Sequence, residues 1–377
     1  MIRRFFLLAA AALGLLALAA CSSEEGGQAS PTAPVVGGAW QREWDQVLEA
    51  AKREGKVAVA GPAGTDLRRA LTEPFERKYG ISVEFLGGPG PEVWPKMKAE
   101  REAGQYLWDI WIGGTSTHLF QFKPAGALDP FDSALIVPEV TDPKNWFGGQ
   151  LPYADKDHTS FLMTLGSIAA FGINTNLVKP EEFKSYRDLL DPKWKGKIVI
   201  FDPRIAGAGL AALTYYYQSK DLGPDFIRAL AKQEPALTRD YRQHLEWLGQ
   251  GRYLVAIGVH GGIAKELKQA GAPIKQVDPA QMKEGGFLAS AIGTIGLMNR
   301  APHPNAAKVY VNWLLSKEGQ IGFSRAAAYA STRVDVPTDQ LEPWELPKLG
   351  FFNIDTEEAR TLETRTVGPF AKEVFGE

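Results

Sequence analysis

Three times in succession between residues 56 and 117, a short apolar run gives way to a glycine turn and then to a helical stretch. Val57-Ala58-Val59-Ala60 runs into Gly61-Pro62-Ala63-Gly64. Residues 81–86 run into Gly87-Gly88-Pro89-Gly90. Asp109-Ile110-Trp111-Ile112 runs into Gly113-Gly114-Thr115-Ser116-Thr117. Continuous apolar runs of this length suit strands covered on both faces. Strand–turn–helix units in series specify an α/β domain with a mostly parallel sheet. Trp44, Val47, Leu48 and Ala51 at helical spacing, closed by Gly55, predict a helix ahead of the first strand. Thr65 or Asp66 can cap the next helix, Pro74 should kink or split it, and Gly80 ends it. A third helix is expected over 92–105.

The pattern restarts after residue 196. A strand at 197–201 leads to Asp202-Pro203-Arg204-Ile205 and Ala206-Gly207-Ala208-Gly209, then to helices at 210–218, 224–232 and 240–248. A strand at 252–258 leads to Val259-His260-Gly261-Gly262 and a helix ending near Ala270. Residues 161–174 and 287–299 are long, apolar and interrupted by small residues. They read as two strands passing between lobes. A helix is expected over 304–316, with Ala307, Tyr310, Val311 and Leu314 on one face.

The N-terminus carries a different signal. Met1-Ile2-Arg3-Arg4 precedes an apolar run over 5–20, which is the layout of a secretion signal. The run is short for a membrane span, which needs about 20 apolar residues. It ends Leu18-Ala19-Ala20-Cys21, resembling a bacterial lipobox, with Cys21 as the lipidated residue. Cys21 is the single cysteine of the chain, so no disulfide framework is available. Residues 21–39 are rich in Gly, Ser, Pro and Ala and read as a flexible tether. Lys+Arg 42 against Asp+Glu 44 leaves no basic surplus, which argues against nucleic acid as a partner.

No catalytic motif of high specificity is present. Gly322-Phe323-Ser324-Arg325-Ala326 comes nearest to a nucleophile elbow, but it lies in a helical stretch, so Ser324 reads as a helix-surface serine. The five histidines show no paired metal spacing. Tyr215-Tyr216-Tyr217 cannot converge on one metal, because successive helical residues point about 100° apart. Of Trp94, Trp108, Trp111 and Trp146, most should be packing residues. The glycine turns have a clearer use. Each exposes backbone N–H groups at a helix start, where the dipole favours negative charge. Arg204 and Arg242 add guanidinium forks that suit carboxylate or phosphate.

Asp188-Leu189-Leu190-Asp191-Pro192-Lys193-Trp194-Lys195-Gly196-Lys197-Ile198 resembles a segment of the bacterial periplasmic binding proteins of the second structural type, and of their iron-binding branch in particular. Ala170-Phe171-Gly172-Ile173-Asn174-Thr175-Asn176 resembles the family's crossover strand, and residues 306–320 its late helix pair. The resemblance covers about residues 40–337. It implies a two-lobed α/β fold, each lobe a mostly parallel sheet flanked by helices, joined by two crossover strands. It implies a protein that captures a solute and hands it to an ABC importer permease, without catalysis and without a cofactor.

The resemblance also exposes departures. The branch's adjacent tyrosine pair falls here on Gly261 and Gly262, its acidic ligand on Gly114 and its first-turn histidine near Gly64, so no metal ligands are assigned. The branch's anion site maps near Ala206, Gly207 and Ala208, which keep their small residues.

The expected organisation is a signal peptide at 1–20, a lipid-anchored tether at 21–39, lobe one at 40–155 plus 293–335, lobe two at 156–292, and a tail at 336–377 that packs on a lobe. The expected site comprises Gly64 and Thr65, then Gly113, Gly114 and Thr115 from lobe one, and Arg204, Gly207, Tyr241, Arg242 and His260 from lobe two. The expected ligand is a small anionic or anion-chelated solute. The expected location is the cell envelope, in the periplasm or on the outer face of the cytoplasmic membrane, as a monomer touching lipid only through Cys21. Alternative readings are an exported hydrolase or the ligand-sensing partner of a membrane receptor.

Overall fold

Lobe one begins with α1 (Ala39–Glu54), which ends where Gly55 turns left-handed at φ 75 and caps Ala51 O. Then come β1 (Lys56–Gly61), α2 (Thr65–Tyr79), β2 (Ser82–Gly87), α3 (Gly90–Glu102) and β3 (Ile110–Gly113). This is a computed structural model, and it describes residues 38–376. The signal peptide, Cys21 and the tether up to residue 37 lie outside the described residues. The short α4 (Thr115–Thr117) runs on into a wider turn over His118–Phe122, followed by β4 (Leu128–Asp129), α5 (Pro138–Thr141) and β5 (Phe161–Leu162). β1 pairs in parallel with β2 and β3.

Pro74 does not split α2, which passes through it as a single helix. Leu71, Thr72 and Phe75 are buried around that proline, and their packing holds the helix across the missing hydrogen bond.

The chain then crosses to a second sheet through β6 (Gly166–Ile168) and β7 (Phe171–Asn174). Lobe two adds β8 (Ile198–Phe201), α6 (Ala208–Gln218), α7 (Gly223–Ala231), β9 (Ala236–Thr238), α8 (Tyr241–Gly249), β10 (Val255–Ile257), α9 (Gly261–Gln269) and β11 (Ile274–Gln276). β8 lies between β9 and β10, all parallel, while β7 runs antiparallel to β10 and β11. The return passes through β12 (Phe287–Ala289) and β13 (Thr294–Met298), and α10 (Pro304–Leu314) and α11 (Lys317–Ala327) follow. β13 enters the first sheet antiparallel to β3, β4 and β5. Each sheet is therefore parallel in its strand–turn–helix units and antiparallel where a crossing strand joins it.

The tail forms β14 (Phe352–Asn353), α12 (Glu357–Leu362) and α13 (Gly368–Phe375). β14 pairs in parallel with β12, and β12 pairs antiparallel with β6, forming a small third sheet. Two main cores result. One joins Val57, Val59, Ile110, Ile112 and Ile295 to Tyr310, Trp313 and Phe323. The other joins Phe171, Ile198, Ile200, Leu213, Tyr216 and Val255 to Ile354, Val367 and Phe370 of the tail.

Candidate functional site

The three lobe-one turns pack together at the carboxyl ends of their strands. Gly88 N–H donates to Gly61 O at 2.9 Å. A Cβ on Gly87 would stand 3.5 Å from Ala63 Cα, and one on Gly90 would stand 2.6 Å from Thr117 Oγ1. Gly64, at φ 133, precedes α2 with no side-chain cap, and Thr65 is exposed at the helix start. Gly113 is buried against Trp111, whose ring would lie 2.5 Å from an added Cβ. Gly114 opens α4, also uncapped, and the Ala291 carbonyl between β12 and β13 lies 3.8 Å from where its Cβ would be. Thr115 is oriented differently from expectation. Its buried hydroxyl lies 2.7 Å from Thr294 Oγ1 and 3.0 Å from Ser290 Oγ, facing the crossing strands rather than solvent.

On lobe two, Gly207 precedes α6 at φ 152, a conformation that L side chains rarely adopt. Ala208 N–H, the first of the helix, donates to the Tyr241 hydroxyl at 2.9 Å. The Tyr241 ring stacks on Phe201, with centroids 3.7 Å apart and planes at 6°, and meets His260 at 4.9 Å. His260 caps α9 by accepting from Ile263 N–H at 3.4 Å, and partial burial lowers its pKa. α6 and β10 touch closely, because a Cβ on Gly258 would stand 2.6 Å from Gly209 N. Gly207, Tyr241 and His260 thus form one cluster, to which Phe201 belongs although the sequence reading did not include it. The available signal was its place at the end of the strand that feeds the turn.

The two arginines are engaged elsewhere. Arg204 forms a fork with Asp202, at 2.8 and 2.9 Å, and donates to Gly376 O at 2.8 Å. Burial alone would raise the Asp202 pKa, but Arg204 and Arg239 together hold it well below the usual carboxylate range. Arg242 places one guanidinium nitrogen 2.9 Å from both oxygens of Glu266 on α9. Neither guanidinium is free to neutralise an anion without leaving its carboxylate.

Other singled-out residues are packing residues. Trp94, Trp111 and Trp146 are buried, and Trp108 donates to Glu100 at 2.9 Å. Tyr215 donates to Glu284 O, Tyr216 is buried, and Tyr217 meets Phe370, so the run diverges. Ser324 is buried, not on the helix surface. Its hydroxyl bonds Tyr329 O just past the end of α11. Among the described residues, no group of three or more His, Cys, Asp or Glu side chains is arranged to hold a metal ion.

The family model for bacterial extracellular solute-binding proteins matches residues 70–349, and the chain belongs to that family. An uncharacterized protein of Haemophilus influenzae is 28% identical over 280 residues, spanning 73% of this chain and 77% of its own length. A Salmonella typhimurium periplasmic protein, provisionally assigned to 2-aminoethylphosphonate binding, is 25% identical over 274 residues, covering 71% of this chain and 75% of its own. Trichodesmium IdiA (FutA), solved with iron and citrate, superposes with a TM-score of 0.67 at 20% identity, covering 86% of this chain and 100% of its own. The fold is the two-lobed type II arrangement of these binding proteins.

Proposed function

We propose that the chain captures a small solute bearing a phosphonate, phosphate or carboxylate group between its lobes and delivers it to an ABC importer. The observation that carries this reading is the cluster at the start of α6. There a glycine at positive φ leads into the helix, and an oxygen, that of Tyr241, sits on its first N–H, that of Ala208. That hydroxyl accepts from Ala208 and keeps its own proton to donate to an incoming oxyanion. The uncapped starts of α2 and α4, at Gly64-Thr65 and Gly114, supply the same chemistry from lobe one.

Lobe one takes 40–155 and 293–335 in this reading, and lobe two 156–292. The direct anion contacts come from Gly64, Thr65, Gly113, Gly114, Gly207, Tyr241 and His260. Arg204 and Arg242, paired with Asp202 and Glu266, are not among them. Gly261 and Gly262 stand where a tyrosine pair would bind ferric iron, so a metal-free anion is favoured over the bare ion. Cys21 anchors the protein to lipid on the outer face of a membrane, and the protein works as a solute carrier rather than as a catalyst. Radiolabelled palmitate incorporated into the wild type but equally into Cys21→Ser would remove the anchor from this account.

Calorimetric titration with 2-aminoethylphosphonate, inorganic phosphate, citrate, ferric citrate and spermidine tests the ligand class. Binding of at least one phosphonate, phosphate or carboxylate probe is expected. Binding of spermidine alone would overturn the anionic reading.

A further inference from the structure

We propose that residues 352–376 form a strap behind the hinge that joins the two lobes and sets how far they part. Two covalent passages, through β6 and through β12, already link the lobes. The C-terminal segment, continuing from α11 of lobe one into the core of lobe two, adds a third passage, and it grips three places in turn.

The grip on lobe one is ionic. Lys123, at the end of the turn that continues α4, places its ammonium 2.9 and 2.8 Å from the two oxygens of Glu357 on α12. The same ammonium lies 2.9 Å from Asp157 and 3.2 Å from Asp155. Glu357 N–H also donates to Ala154 O at 2.8 Å. The grip on the crossing strands is through β14 and Asp355. Buried Asp355 accepts from Ser290 N–H at 2.5 Å and is held by Arg360 at 2.7 and 3.0 Å. Ser290 in turn touches Thr115 of lobe one. The grip on lobe two is mainly apolar, with the Arg204 guanidinium bonding the Gly376 carbonyl beside it. Val367, Phe370 and Ala371 are part of its core, and Arg228 lies over the Phe370 ring at 4.9 Å.

These grips differ in kind. Apolar burial in a packed core resists sliding, whereas an ion pair at a partly exposed site exchanges readily for water. Rotation of one lobe against the other therefore strains the Lys123–Glu357 contact first, while α13 stays with lobe two. Making or breaking that contact shifts the balance between open and closed lobes.

The test needs no solute, so its failure would leave the proposed ligand class standing, and the converse also holds. Spin labels are placed at Arg69→Cys on α2 and Lys265→Cys on α9 in the full chain carrying Cys21→Ser. Distances between them are read by pulsed electron resonance. The otherwise unaltered chain should give one narrow distribution. Lys123→Ala and Glu357→Ala should each broaden it and lengthen its mean by several ångströms. Lys123→Arg, which keeps a cation beside Glu357, Asp155 and Asp157, should leave it unchanged. Should either alanine variant fail to fold, Glu357→Gln removes the charge at constant size and gives the same reading. An unchanged distribution in these variants, with melting temperatures showing them folded, would overturn the strap.

Discussion

The Tyr241 hydroxyl accepts the first N–H of α6 from Ala208 at 2.9 Å while its ring lies flat on Phe201 at 3.7 Å. The ring fixes the oxygen, and the oxygen fixes the mouth of the helix. Tyr241→Phe keeps the stack and removes only the oxygen. It should cost about 1 kcal/mol of stability, the net value of one hydrogen bond. It should weaken binding of the best anionic probe by about tenfold, or about 1.4 kcal/mol. Calorimetry on the two proteins checks this, and equal affinities would move the site away from α6.

The sequence places Arg204 among the expected ligand contacts, but its fork onto Asp202, a carboxylate only 2% exposed, gives its removal a cost in stability. Arg204→Ala leaves Asp202 with Arg239 as its remaining guanidinium. A charged hydrogen-bonded partner lost at such a site costs about 2 kcal/mol. Urea unfolding should show it as a lower midpoint with unchanged slope. A midpoint equal to wild type would mean that Arg239 alone satisfies Asp202.

Two buried histidines predict a pH dependence. Burial pushes His118 down to about 3 and His244 down to about 4. In the unfolded chain both titrate near 6.5. Between these values the unfolded chain binds protons that the folded chain refuses, so stability falls as pH drops below about 6.5, by up to about 1.4 kcal/mol per pH unit for each histidine. Asp109 works in the opposite sense in acid, because its burial raises its pKa. Unfolding free energies measured from pH 8 to pH 4.5 should decline, and His244→Gln should decline less steeply. Parallel curves for the two would contradict a neutral buried His244.

The glycines divide sharply. A Cβ on Gly209 would sit 1.8 Å from Phe201 O, a backbone atom that cannot move aside. Gly209→Ala should therefore cost more than about 3 kcal/mol. Gly261 has nothing within 4 Å of its added Cβ, so Gly261→Ala should unfold at nearly the wild-type temperature. Thermal melts of the pair decide it.

The strand–turn–helix units were legible because their signals are local, whereas the long apolar runs at 161–174 and 287–299 prove to be broken into short strands of different sheets. An apolar run, a glycine and a helical period all lie within about 25 residues. The stacking of Tyr241 on Phe201 was not legible, since 40 residues separate them and neither has a periodic role. The occupied state of Arg204 was half legible. Asp202 stands two positions away, but the Gly376 carbonyl is at the other end of the chain. β14 is two residues long and carries no alternation to read, so the place of the tail appears only in three dimensions.

The position of β13 has a consequence for how the molecule is made. It lies between β3 and β4 in the first sheet, yet it is reached only after the whole of the second lobe has been synthesised. A growing chain can assemble β1, β2 and β3 early, but their exposed edge waits for more than 150 residues before its partner arrives. Lobe two waits longer still, because its core takes Ile354, Val367 and Phe370 from the tail, so neither half closes until the chain is nearly finished.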